Sequence, residues 1–224
     1  TLRGGLSSVF GGVDIEDNYT FSLFLPPFDY VTLEASRARN ATLGFDWERG
    51  ALKIGGELFV SRIEDARGGS DNFDFESRGF NLGATYGWDS GFARFTLSKS
   101  DAFVDGDRTQ SYDALDFGAP LGTVMAFELD QKTGIDGLRV GGGLDAALDY
   151  EMPSALDDLD SYAVVNLFAE YVPPQFDNMT IRAEITNLFD KEYADRGTYG
   201  GEYGDVTTLK ELGRTVSLVA VARF

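Results

Sequence analysis

The chain has 224 residues, 19 Lys+Arg against 37 Asp+Glu for a formal net charge of −18, and neither His nor Cys. Without His there is no Ser-His-Asp or Cys-His nucleophile and no imidazole ligand for zinc or haem; without Cys there is no disulfide, thiolate metal site or thiol redox chemistry. The acidic balance excludes the basic footprint of a nucleic-acid partner, and 27 Gly, 6 Pro and 13% aromatic residues describe an all-β chain rich in turns.

No stretch reaches the roughly 18 consecutive apolar residues of a transmembrane helix. The opening TLRGGLSSVFGGVDIED has neither an initiator Met nor the apolar core of a signal peptide, so the sequence is expected to be cut from a longer protein or to have lost its leader. A weak alternating segment comes first, at 2–9. Ala41, Leu43, Phe45 and Trp47 then alternate with Thr42, Gly44 and Asp46, and the same period runs through 52–60. Phe80, Leu82, Ala84, Tyr86 and Trp88 alternate with Asn81, Gly83, Thr85 and Gly87, followed by 93–97 and 125–129. Leu138, Val140, Leu144, Leu148 and Tyr150 share a parity opposite to Arg139, Asp145 and Asp149. Segments at 163–171, 179–185 and 216–224 complete about ten predicted strands.

Most of these strands exceed the ~5–6 residues of ordinary globular strands. A strand of ~10 residues rising ~3.3 Å each and tilted ~45° climbs about 23 Å, close to the apolar band of a membrane barrel. The connections also alternate. Short turns at 48–50, 89–91, 131–137 and 173–178 are interleaved with long links at 11–37, 62–76, 100–122, 151–160 and 188–214. Tight periplasmic turns at one rim and long loops at the other are the pattern of an outer-membrane barrel, and a soluble sandwich has no reason to sort its loops so. The second parity carries Gly, Ser, Thr, Asn and charged residues, too polar for a packed sandwich core, while Trp47, Trp88, Tyr86 and Tyr171 sit near strand ends like an aromatic girdle. A barrel of about ten strands would be filled by its own side chains, yet the inward parity here is mostly small. A wide lumen filled by another domain is expected instead, with partner strands in missing sequence, because an open sheet leaves unpaired edges in lipid.

Asn187-Leu188-Phe189-Asp190-Lys191-Glu192-Tyr193 after a strand, Gly213-Arg214-Thr215 opening the last strand, and Phe224 at its end resemble the C-terminus of the TonB-dependent receptors of Gram-negative outer membranes. Ser77-Arg78-Gly79-Phe80 and Ser161-Tyr162-Ala163-Val164-Val165-Asn166 fit the same family. Thr1-Leu2-Arg3 and Tyr171-Val172-Pro173-Pro174 resemble its haem and haemoglobin receptors. The resemblance implies a 22-stranded barrel plugged by an N-terminal domain and importing a ferric siderophore, haem or cobalamin with energy from TonB. It makes residues 1–224 one barrel region, the C-terminal portion, with the plug and N-terminal strands elsewhere. It also makes Phe224 part of a barrel-assembly signal at a genuine C-terminus. The implied partners are outer-membrane lipid and lipopolysaccharide, the missing strands and plug, TonB through that plug, and an iron chelate. No nucleic acid, cofactor or enzymatic role is implied.

Asn187, Leu188, Phe189, Asp190, Tyr193, Gly213, Arg214 and Phe224 are read as mainly structural, with Asn and Asp capping a strand end and aromatics anchoring a loop base. The loop at 196–211 is the candidate ligand surface. There Tyr199 and Tyr203 lie among glycines that suit a planar chelate, and Arg196 suits an anionic ferric siderophore. Two acidic groups, Asp101/Asp105/Asp107 and Asp157/Asp158/Asp160, lack EF-hand spacing and read as solvated loops. A self-contained structural or adhesive barrel and a soluble secreted β-domain are the competing expectations.

Overall fold

The computed structural model describes residues 1–11, 35–68, 71–108, 122–150, 159–176, 178–202 and 205–223. Its strands are β1 (Leu2–Phe10), β2 (Arg37–Arg49), β3 (Leu52–Gly68), β4 (Asp71–Trp88), β5 (Gly91–Val104), β6 (Asp107–Arg108), β7 (Gly122–Lys132), β8 (Leu138–Ala147), β9 (Tyr162–Tyr171), β10 (Met179–Thr186), β11 (Ala194–Glu202), β12 (Asp205–Lys210) and β13 (Thr215–Ala222). Ten of them form one antiparallel sheet in the order β1-β2-β3-β4-β5-β7-β8-β9-β10-β13, with the short β6 paired to β5; β11 and β12 form a separate hairpin. The ten-strand path agrees with the strand count expected from alternation.

Residues paired across antiparallel strands share a face, so register sorts the chemistry. One row runs Trp47, Ile54, Ala84, Phe95, Phe127, Leu144, Val165, and the next outward-facing row runs Phe45, Gly56, Leu82, Leu97, Met125, Ala146, Ala163. The row between them lies on the other face: Asp46, Gly55, Gly83, Thr96, Ala126, Asp145. Among the described residues, many large side chains of the apolar face stand exposed. Leu43 is 61% exposed, Leu58 58% and Tyr86 53%. Water would oppose so continuous an apolar surface, whereas a bilayer serves as its solvent. This is the wall of a transmembrane β-barrel.

Tight turns join β2 to β3, β4 to β5, β7 to β8 and β9 to β10. At the third, Gly137 has φ +79°, and a Cβ there would strike the Val172 carbonyl of the neighbouring turn. The opposite rim departs from a simple loop pattern. The link expected at 62–76 is instead the paired continuation of β3 and β4, out to Gly68 and Asp71, with a bulge between Ile63 and Ala66. β5 likewise continues to Val104. The outward alternation ends there because the apolar parity changes face, with Arg62, Glu64 and Glu76 outward and Ile63, Phe73 and Phe75 on the other side, while backbone pairing does not depend on side-chain polarity. β8 also ends earlier than its alternation, at Ala147, and Tyr150 forms only an isolated bridge to Leu159. The buried clusters sit at this rim. Ala66, Phe75 and Ala102 pack with Ile63, Phe73 and Val104; Ala147, Tyr162 and Val164 pack with Val124 and Tyr193.

Candidate functional site

The motif that follows β10 turns the chain away from the sheet and fixes where the β11–β12 hairpin stands. Asn187 and Asp190 occupy the left-handed region, with φ of 50° and 56°, which Asn and Asp tolerate better than other side-chain-bearing residues. Asn187 is 3% exposed. Its amide group donates to the carbonyls of Lys191 (2.8 Å) and Leu212 (3.3 Å), its side-chain oxygen accepts the Lys191 N–H (2.8 Å), and its own N–H donates to Asn166 Oδ1 (2.9 Å). One buried side chain thereby replaces the ladder partners that the chain loses as it leaves the sheet. Asp190 Oδ1 accepts the Arg214 N–H at 2.7 Å. A Cβ on Gly213 would lie 2.7 Å from that same oxygen, so glycine is what lets the last strand approach. Leu188 donates its N–H to Val165, and Phe189 stands exposed.

Beyond the motif, Tyr193 packs on Tyr162 with ring centroids 4.9 Å apart, and burial pushes the Tyr193 phenol above its ordinary pKa. The Tyr162 hydroxyl donates to Asp195 Oδ2 at 3.0 Å. Arg196 differs from its sequence-based reading as an exposed ligand contact. It is 5% exposed, and its Nη2 donates to the carbonyls of Leu148 (2.7 Å), Leu159 (2.8 Å) and Asp160 (3.0 Å). Its guanidinium sits near the Tyr162 ring, and burial lowers its pKa, although Tyr162, Asp149, Asp195 and Asp160 oppose that shift. Arg196 is thus a clamp that ties the β11–β12 hairpin to the link between β8 and β9. The same link is held by Asp149, whose carboxylate takes the Ser161 N–H at 2.6 Å and titrates below its ordinary range because of Ser161. Tyr199 lies in β11 opposite Thr208. Tyr203, Phe224, Asp157 and Asp158 lie outside the described residues.

Sequence reasoning did not single out the charged wall on the polar face of β7 to β10. Arg139 grips Asp130 with two nitrogens (2.5 and 3.2 Å) and reaches Glu170 at 4.0 Å; Arg182 continues the chain to Glu170 (3.6 Å) and Glu184 (3.1 Å). Arg182 also lies over the Phe168 ring, 4.1 Å from its centroid. The signal was present as opposite charges on the polar parity, but which of them meet depends on register. No group of three or more acidic residues suited to a metal ion occurs among the described residues. The polar wall presents alternating charge on the face opposite the apolar one.

The family described as TonB dependent receptor-like, beta-barrel matches residues 1–188. This chain belongs to that family. It is 30% identical over 207 residues to the heme transporter BhuA of Brucella abortus (strain 2308), a match covering 86% of this chain and 31% of that protein. Among solved structures, the FrpB iron transporter of Neisseria meningitidis (F5-1 variant) superposes with a TM-score of 0.74 at 18% identity, over 100% of this chain and 37% of that one. The copper transporter OprC gives 0.73 at 17% identity, again over 100% and 37%. The ferripyoverdine receptor of the outer membrane of Pseudomonas aeruginosa gives 0.71 at 15%, over 99% and 30%. These similar proteins are named as transporters and receptors, and this chain spans about a third of their length.

Proposed function

We propose that this chain forms part of the barrel wall of a TonB-dependent receptor in the outer membrane of a Gram-negative bacterium, importing an iron chelate, either a ferric siderophore or haem. The carrying observation is the 30% identity to a haem transporter over 86% of the chain. Two features of the fold support it. β1 and β13 each pair on one side only among the described strands, so the wall requires further strands to close, as a barrel of about 22 would supply. The polar face is lined by charge and small residues, a surface suited to a water-filled lumen holding a plug domain through which TonB acts. Residues 1–224 are in this reading one barrel segment, and no enzymatic step is assigned to it. Lipopolysaccharide is the lipid partner at the long-connection rim.

The deciding experiment is growth of the native organism on haemin or on a ferric siderophore as sole iron source, with the gene intact, deleted, or present without TonB. Growth on one chelate lost in both altered strains supports the proposal and names the ligand. Growth on every chelate tested, unchanged by the deletion, overturns it.

A further inference from the structure

We draw no further inference here: the strongest candidate, the cavity of about 190 Å³ at the base of the β11–β12 hairpin, carries nothing, because Asp160 and Glu192 line it beside Lys191, Arg196 and Lys210, and the Arg196 Nε and Nη1, which have no hydrogen-bond partner among the described residues, are themselves closed to anything that enters it.

Discussion

The two ends of the sheet treat the same rim in opposite ways. Over β2 to β5, charged side chains stand exposed on the outward face and pair loosely with one another. Over β8 to β10 and β13, the polar groups that matter are buried and spent on backbone: Asn187 on Lys191 and Leu212, Arg196 on Leu148, Leu159 and Asp160. Exposed pairs of the first kind contribute little to stability, with typical values of ~0.2–1 kcal/mol, whereas a buried polar group deprived of its partner costs ~1–3 kcal/mol. The first sector is therefore suited to meeting its surroundings, and the second to holding loop architecture.

Breaking the buried hub should give the largest effect. Asn187→Ala removes the partner of one amide and two carbonyls and forces alanine into a left-handed conformation, together about 3 kcal/mol. The expected outcome is a clear fall in the thermal midpoint of the detergent-solubilised protein by far-UV circular dichroism. An unchanged midpoint would make the motif dispensable for folding.

A smaller, local effect is expected at the clamp. Arg196→Met keeps most of the volume but abandons three carbonyls, at about 2 kcal/mol, which corresponds to about 30-fold faster hydrogen exchange in the hairpin amides. Exchange in β2 to β5 should not change. Arg196→Lys should restore little, because an ammonium lacks the guanidinium's geometry. If exchange rises equally in all strands, the two sectors are not independent.

The smallest effect sharpens the comparison through pH. Tyr150 is 6% exposed, and burial, aided by the Asp101 carboxylate, pushes its pKa up to about 12. A phenol ordinarily titrates near ~10. Because the folded value is the higher one, the neutral phenol contributes stability that is fully present below about pH 10 and is lost as pH rises toward 12. Burial also raises the Tyr162 and Tyr193 phenols, so tyrosinate absorbance should show a late-titrating component whose amplitude Tyr150→Phe lowers by one tyrosine. An undiminished amplitude in that variant would remove Tyr150 from the component.

Strand positions and faces were legible in the sequence because the period of two is local and the bilayer selects each residue by face. Leu52 to Val60 and Phe80 to Trp88 reveal their lipid side without reference to any partner. The family motif around Asn187 was legible as a strand end for the same reason, since its Asn and Asp carry short-range backbone bonds. Arg196 was not. An arginine among glycines and tyrosines reads as an exposed contact, and only the approach of residues 148 and 159–160, more than thirty positions away, buries it.

What the sequence determined by itself was an amphipathic antiparallel wall whose two faces require lipid on one side and a polar interior on the other. Tertiary structure decided what charges meet. The links among Asp130, Arg139, Glu170, Arg182 and Glu184, and the gathering of Arg39, Arg62, Arg78 and Lys99 at one edge of the apolar band, arise from strand register. Register is a relation between neighbouring strands, and alternation within a single strand carries no record of it.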